Sequence, residues 1–210
     1  MPEKLNSVDE RRGAARLIAK KLVESNALKF GDFTLSSGKR SSYYIDLRLA
    51  PSIPGLFSEL VQTFISILKD VGVHNADAIG GIATSGLIYA TAVAYELKLP
   101  LVYVRSDAKR YGTRKKIEGI IRSGDRIILI DDLITSGDSI LTAANQIRAA
   151  GGVVTKSIVL IDRNEGGAEK LSADHIELYS LSSIDELADI LYSMHMISYS
   201  ERQAIHKESQ

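Results

Sequence analysis

The chain has 210 residues, and its 26 Lys and Arg residues balance 26 Asp and Glu residues, so no overall field attracts nucleic acid or a membrane surface. It has no Cys, which excludes disulfides, thiolate metal sites and a Cys nucleophile and suits a reducing compartment. The charged first residues lack the apolar stretch of a leader, and no apolar run approaches the roughly 18 residues of a membrane span. We expect a cytoplasmic protein with one domain over residues 1–210 and with neither nucleic acid nor membrane as a partner.

The first part of the chain changes character midway. Apolar residues at helical spacing, with Lys and Arg between them, predict an amphipathic helix from Val8 to about Ser25. The following stretch FGDFTLSSGKRSSYYIDLRL has glycines and a Ser-rich turn between short strand-like pieces, which is typical of a hairpin. We call residues 29–48 the hood and expect residues 1–50 to consist of this helix and the hood.

Residues 51–195 are predicted to form an α/β core. After a first helix, short continuous apolar runs alternate with helical patterns from Ala76 onward. Such alternation indicates a doubly wound, mainly parallel sheet that helices cover on both faces. Ser183 and Glu186 resemble a capping box for the last core helix. The polar residues 196–210 are predicted to be a fraying tail.

The stretch RIILIDDLITSGDSI carries the strongest chemical signal. An apolar strand ends in Asp131 and Asp132, at the edge where open parallel sheets bind ligands. Side chains alternate along a strand, so two arrangements are open. Either one carboxylate faces a ligand while the other supports the turn, or the strand has already ended.

The turn after the acids consists of Thr135, Ser136 and Gly137 and opens a helix. The unpaired N–H groups and partial positive charge of a helix N-terminus, with hydroxyl donors beside them, make it a candidate phosphate site. In the alternative reading, Thr135 or Ser136 only caps the helix and the acids are solvated. Asp138 favours this alternative, because a carboxylate in the first turn repels phosphate unless it points away.

The motif IILIDDLITSGDS resembles the phosphoribosyl diphosphate (PRPP) binding motif of the type I phosphoribosyltransferases. The resemblance implies the sheet of that family, with acids on the ribose and the turn around the 5-phosphate. The residues implied to bind PRPP here are Asp131, Asp132, Leu133, Ile134, Thr135, Ser136, Gly137, Asp138 and Ser139. The segment GGIATSGLI is similar to the family's pyrophosphate loop and adds Thr84 and Ser85, where some relatives have an aromatic residue and Lys.

The hood, Lys29 to Arg48, resembles the N-terminal signature of orotate phosphoribosyltransferases, in which it covers the pyrimidine. The resemblance implies that Tyr44 and Ile45 lie against orotate. Ser36 stands where the family often has Lys, so a cation is missing there. Taken alone, the segment is equally explained as a bulged hairpin with ordinary aromatic residues.

From Arg105 to Arg126, eight basic residues face three acidic ones, a local charge of +5. We call residues 105–119 the lid, because a basic loop between glycines suits closure over pyrophosphate with exclusion of water. A solvated charged loop, or a contact with RNA, would also explain the charge. The pattern resembles the catalytic loop of orotate phosphoribosyltransferases, which implies a homodimer whose subunits share the lid. The matching residues are Arg105, Lys109 and Tyr111, with Ser106 in place of a frequent Lys.

The segment LIDRNEGG is the last part of the resemblance. It implies that Arg163 binds the carboxylate of orotate, a planar bidentate match that Lys cannot reproduce. Thr135 joins Arg163, Tyr44 and Ile45 in the implied orotate site. The alternative for Arg163 is a surface side chain paired with Asp162 or Glu165.

Segments in the family's order from residue 29 to residue 167 thus identify the chain as a member of the orotate phosphoribosyltransferases. The resemblance implies conversion of orotate and PRPP to orotidine 5′-monophosphate and pyrophosphate in pyrimidine synthesis. Its implied catalytic residues are Lys109, Asp131 and Asp132. Mg²⁺ is the expected cofactor, held mainly by the diphosphate and water. The alternatives are a phosphoribosyltransferase for another base and a regulator that senses PRPP without catalysis; the cations missing at Ser36, Ser85 and Ser106 favour the regulator.

Overall fold

The computed structural model describes residues 8–34, 38–105 and 116–209. The predicted capping box of Ser183 and Glu186 is present at the start of the helix Ile184–Ser193. The helices and strands, in chain order, are α1 (Val8–Glu24), β1 (Leu28–Thr34), β2 (Arg40–Ile45), α2 (Pro54–Asp70), β3 (Ala78–Ile82), α3 (Ser85–Leu97), β4 (Leu101–Val104), β5 (Ile117–Glu118), β6 (Arg126–Ile130), β7 (Leu133–Ile134), α4 (Asp138–Ala149), β8 (Val153–Asp162), α5 (Gly167–Ala173), β9 (Glu177–Ser183), α6 (Ile184–Ser193) and α7 (Tyr199–Glu208).

Strands β3 to β9 form one sheet with β5 at one edge and β9 at the other. Its order is β5, β4, β3, β6, β8 and β9, and β7 pairs with the carboxyl end of β8 beyond β6. Neighbouring strands are parallel except β4 and β5, which are antiparallel. The sheet confirms the doubly wound, mainly parallel architecture predicted from the alternation of apolar runs and helices.

Helices cover both faces of this sheet. On one face, Ile79, Ile128 and Ile158 join a core with α1, α2, α3 and α6. On the other face, Ile127 and Leu129 pack with α4 and α5. Successive strand residues point to opposite faces, so burial of both explains the uninterrupted apolar runs at 127–130 and 158–161. Among the described residues, no helix is both long and apolar enough to cross a bilayer.

The hood contains the predicted hairpin. Strands β1 and β2 pair only with each other, antiparallel and apart from the main sheet. Burial alternates along β2: Ser41, Tyr43 and Ile45 are buried, while Ser42 and Tyr44 are partly exposed. A two-stranded hairpin is marginal by itself, so its position depends on what its buried face contacts.

The prediction of a fraying tail over residues 196–210 is wrong for most of that segment. Helix α7 spans Tyr199–Glu208 and begins with a capping box of Ser198 and Glu201. Its Ile205 is 1% exposed and belongs to the core that contains α1 and α2. A single buried residue gives no apolar periodicity, which is why the sequence pattern does not predict this helix.

Candidate active site

Two carboxylates stand at the carboxyl end of β6 in different surroundings. The strand ends at Ile130, so both acids follow it, which is the second of the two expected arrangements. Asp131 is buried, and its Oδ1 accepts the backbone N–H of Asp132 at 3.0 Å. Asp132 is partly exposed; its Oδ1 accepts the N–H of Leu133 at 3.0 Å and its Oδ2 accepts the Ser85 hydroxyl at 2.6 Å. Asp132 therefore links this edge of the sheet to the start of α3.

The first turn of α3 lies directly against the buried carboxylate. The N–H of Gly86 donates to Asp131, and a Cβ at Gly86 would lie 2.6 Å from both Asp131 Oδ1 and the carbonyl oxygen of Ile130. Only glycine permits such an approach without displacing the helix. The approach brings Thr84 and Ser85, the predicted pyrophosphate-loop residues, to the acids.

The surroundings of Asp131 favour its protonated form. Burial raises the pKa of Asp131 well above its usual range, and the neighbouring charge of Asp132 raises it further. Hydrogen bonds from backbone N–H groups act in the opposite direction and are weaker. A carboxyl with a raised pKa holds its proton to a higher pH, and a protonated carboxyl can donate a hydrogen bond as well as accept one.

The turn between β7 and α4 leaves the helix start without a side-chain cap. The N-cap residue is Gly137, in the left-handed conformation with φ 79°, and α4 begins at Asp138. The alternative in which Thr135 or Ser136 caps α4 is therefore wrong. The first N–H groups of α4 point into the turn without a side-chain acceptor from the cap, as an anion-binding turn requires.

Asp138 is held by neighbours that offset its charge. Its carboxylate accepts the Ser136 hydroxyl at 2.7 Å and the ammonium group of Lys170 on α5. The hydrogen bond from Lys170 is the main reason that the pKa of Asp138 is lowered. At the start of α5, a Cβ at Gly167 would collide with the carbonyl oxygen of Thr135, so this helix packs closely beneath the turn. The repulsion of phosphate expected from Asp138 is thereby reduced.

Arg163 is buried beside the same turn. It follows β8, is 7% exposed, and donates its backbone N–H to the carbonyl oxygen of Ile134 at 3.1 Å. Its Nε lies 3.0 Å from Oε1 of Glu165 and donates to the Tyr43 hydroxyl at 3.0 Å. The surface position given by the alternative reading is wrong, although the pairing with Glu165 is present. Within the described residues, hydrogen bonds of this guanidinium involve Nε alone, so the two terminal nitrogens can meet a ligand carboxylate.

Tyr43 is the hood residue that contacts Arg163, and neither the sequence pattern nor the resemblance predicts it. The guanidinium carbon of Arg163 lies 4.8 Å from the centre of the Tyr43 ring. Burial raises the pKa of Tyr43 to about 12, so its hydroxyl stays protonated. Side chains alternate along a strand, so a buried Ile45 predicts that Tyr43 is buried on the same face of β2.

The two hood residues implied to meet orotate lie on opposite faces of β2. Ile45 is buried in the core. Tyr44 is partly exposed; its ring centre is 5.7 Å from that of Phe33, and its hydroxyl accepts a hydrogen bond from Arg48 at 3.0 Å. The structure therefore does not bring Tyr44 and Ile45 to one side of the hairpin.

Only the two ends of the lid belong to the described residues. The N–H of Arg105 donates to the carbonyl oxygen of Lys116 at 2.9 Å, and the guanidinium of Arg105 lies 3.6 Å from Glu118. Strands β4 and β5 pair at this point, so the lid leaves and rejoins the sheet at neighbouring positions. The predicted site residues Lys109 and Tyr111, together with Ser106 and the hood residue Ser36, lie outside the described residues.

The site offers few protein ligands for a metal. In residues 8–34, 38–105 and 116–209, no group of three or more His, Asp or Glu side chains is arranged to hold an ion. Asp131 and Asp132 are the carboxylates that follow β6, and both already accept hydrogen bonds. This donor set fits a Mg²⁺ ion that takes most of its ligands from diphosphate oxygens and water.

Known proteins are similar to this chain in sequence and in fold. The phosphoribosyl transferase domain family matches residues 55–182. The chain is 44% identical over 177 residues to the orotate phosphoribosyltransferase of Cenarchaeum symbiosum, covering 84% of this chain and 88% of that protein. The chain belongs to the orotate phosphoribosyltransferase family.

Solved structures support the same assignment. The crystal structure of the family member from Aeropyrum pernix superposes with a TM-score of 0.73 at 35% identity, over 86% of this chain and 99% of that one. The Leishmania donovani UMP synthase gives a TM-score of 0.82 at 29% identity over 94% of this chain. The match spans 42% of the length of that longer protein.

Most of the described residues implied by the orotate phosphoribosyltransferase resemblance lie at one edge of the sheet. They follow the carboxyl ends of β3, β6, β7 and β8, and two hydrogen bonds join them directly, Ser85 to Asp132 and Arg163 to Ile134. A parallel sheet binds ligands at this edge. The order of the strands, rather than proximity in sequence, brings these segments together.

Proposed function

We propose that the protein transfers the phosphoribosyl group of PRPP to orotate, which yields orotidine 5′-monophosphate and pyrophosphate for pyrimidine synthesis. The observation that carries the proposal is the position of Arg163. Its backbone is bonded to Ile134 at the phosphate-binding turn, and its guanidinium is buried under the hood beside Tyr43. A cation so placed meets the carboxylate that distinguishes orotate from uracil.

Different residues bind the sugar phosphate and the leaving diphosphate. The displacement at the anomeric carbon builds positive charge on the sugar and negative charge on the diphosphate. The turn from Thr135 to Ser139 holds the 5-phosphate through backbone N–H groups and hydroxyls, and the acid pair Asp131 and Asp132 holds the ribose hydroxyls. Lys109 of the lid neutralises the departing diphosphate, a role that rests on the family resemblance.

Mg²⁺ is the proposed cofactor. When bound, it would neutralise part of the diphosphate charge. Oxygens of the substrate and water would hold it, and the partly exposed carboxylate of Asp132 would be available as a protein ligand. A cytoplasmic location is likewise proposed, on the basis of the Cys-free composition.

A homodimer that shares the lid is proposed from the family resemblance and from an uncovered apolar surface. Tyr95 on α3 is 82% exposed, and Ile120, just after β5, is 76% exposed. Helix α3 packs against β3, β4 and β6, and Ile120 follows β5, which pairs with β4 at the edge of the sheet where the lid ends. Sedimentation of an active sample as a monomer would contradict the dimer.

The test of the activity is consumption of orotate, followed by its ultraviolet absorbance. Reactions contain the protein with PRPP and Mg²⁺, and matched reactions omit one component or replace orotate with adenine or hypoxanthine. We expect loss of orotate only when PRPP and Mg²⁺ are both present. Turnover of a purine instead, or PRPP binding without turnover of any base, would contradict the proposal.

A further inference from the structure

The end of helix α7 is bonded to the hood. One carboxylate oxygen of Glu208, Oε1, accepts the backbone N–H of Ser42 at 2.6 Å. The other, Oε2, lies 2.8 Å from the hydroxyl of Ser41. Both serines belong to β2, and 166 residues of chain separate Ser42 from Glu208. The carboxylate therefore fixes two consecutive residues of a strand that has no partner in the main sheet.

These two serines directly precede Tyr43, the residue that supports the guanidinium of Arg163, the cation proposed to bind orotate. Tyr43 accepts a hydrogen bond from Nε of Arg163 and places its ring against the guanidinium. The Ser41 hydroxyl is also 2.8 Å from the carbonyl oxygen of Tyr43. A displacement of β2 at Ser41 and Ser42 thus moves Tyr43, and with it the group that orients Arg163.

Helix α7 is itself attached to the loop that carries Arg163. The hydroxyl of Ser209, next to Glu208, donates to Asp185 Oδ1 at 2.6 Å. The other oxygen of Asp185 accepts the side-chain amide of Asn164 at 2.6 Å. Asn164 follows Arg163 directly. The last turn of α7 is therefore connected to both walls around the guanidinium, the hood on one side and the loop after β8 on the other.

The rest of α7 is anchored independently of the hood. Ile205 packs in the core, and the side chains of Arg202 and His206 both contact Asp189 of α6, at 2.6 Å and 2.9 Å. Removal of the Glu208 carboxylate should consequently allow β2 to shift at Ser41 and Ser42 without unfolding α7.

We propose that Glu208 is a positioning residue for recognition of the base. It holds β2 at the distance from the Arg163 loop at which Tyr43 and Arg163 present the terminal guanidinium nitrogens to the carboxylate of orotate. The inference rests on the proposed function, because it concerns the same substrate. PRPP binds mainly at the turn after β7, which Glu208 does not contact, so the effect should be specific to orotate.

The test compares Glu208→Ala with Lys207→Ala, a change at the exposed neighbour on the same turn. Steady-state kinetics give kcat and the KM values of orotate and PRPP for each. We expect Glu208→Ala to raise the KM for orotate about tenfold, which corresponds to about 1.4 kcal/mol, while the KM for PRPP stays unchanged. Lys207→Ala should match the wild type. An unchanged KM for orotate in Glu208→Ala, or an equal rise in both KM values, would overturn the inference.

Two further variants separate positioning from folding. Glu208→Gln keeps an oxygen for the Ser42 N–H, so it should restore most of the affinity for orotate. Ser41→Ala removes one of the two contacts without altering α7, and should raise the KM for orotate less than Glu208→Ala does. If Glu208→Ala does not fold, a wild-type KM for orotate in Ser41→Ala would still overturn the inference.

Hydrogen exchange provides a readout apart from activity. The Ser42 amide should exchange faster in Glu208→Ala than in the wild type, and the amides of α7 around Ile205 should keep their protection. A wild-type protein that consumes no orotate would refute the proposed function. Turnover by the wild type with unchanged exchange at Ser42 in Glu208→Ala would refute the positioning role alone.

Discussion

Replacement of Gly86 by Ala should disable the site by displacing the start of α3. The new Cβ would lie 2.6 Å from the Ile130 carbonyl oxygen and from Asp131 Oδ1, 0.8 Å closer than the 3.4 Å at which ordinary contacts begin. One of these atoms is backbone, so the helix must move. A shift of that size away from the acids would stretch the 2.6 Å hydrogen bond from Ser85 to Asp132 to about 3.4 Å, beyond the usual range of O–H···O bonds.

The expected loss of stability follows from overpacking, and the expected loss of rate follows from displacement of the active-site residues. Overpacking of a buried position costs about 1–3 kcal/mol of stability, and a displacement near 1 Å at an active site lowers the rate about 10²-fold. Thermal unfolding measures the loss of stability, and kcat/KM for PRPP measures the loss of rate.

Gly55→Ala is the matched control, since Gly55 is also the second residue of a helix and nothing lies within 4 Å of the Cβ that the substitution would add. That variant should gain roughly 0.5 kcal/mol and keep its activity. Wild-type kcat/KM in Gly86→Ala would refute the close contact between α3 and the acid pair.

Further predictions concern the charged groups. The raised pKa of Asp131 means that the folded protein binds an extra proton, so the wild type loses stability as the pH rises from about 4 through the raised value. Asp131→Asn should lack this loss, remain folded at neutral pH and bind PRPP more weakly. Urea unfolding measures the free energy of unfolding at each pH. The same pH dependence in the variant and in the wild type would contradict the burial argument. Lys109→Ala should lower kcat about 10²–10³-fold, and wild-type turnover would remove Lys109 from catalysis. Arg163→Ala should raise the KM for orotate far more than that for PRPP, and Arg163→Lys should not restore it, because Lys lacks the planar fork; equal effects on both KM values would exclude Arg163 from base recognition.

The sheet was predictable because its strands are buried on both faces. The runs at 78–82, 127–130 and 158–161 are apolar without interruption, and helical patterns separate them. The position of the candidate site was predictable for a related reason, since ligands bind where such strands end. The N-cap was not predictable from residue preference, because Gly137 serves as the cap in place of the nearby Thr and Ser.

Contacts between distant segments were the part that the sequence could not supply. Which hood aromatic meets Arg163 depends on the register of β2 relative to the core, and a shift of one residue exchanges Tyr43 for Tyr44. Helix α7 depends on a single buried residue, Ile205, and on polar contacts to α6 that have no periodic pattern. The hydrogen bond that Glu208 accepts from Ser42 joins segments 166 positions apart in the chain, which no local pattern can indicate.

The measurement that tests the account most directly is the ratio of kcat/KM for orotate to that for uracil in the wild-type protein. Uracil is the same ring without the carboxylate, so the ratio isolates the group assigned to Arg163. A site built around a buried partner rejects the analogue that lacks it by about 10⁴. We predict a preference for orotate of this order, and similar values for the two bases would contradict the assignment of the site to orotate.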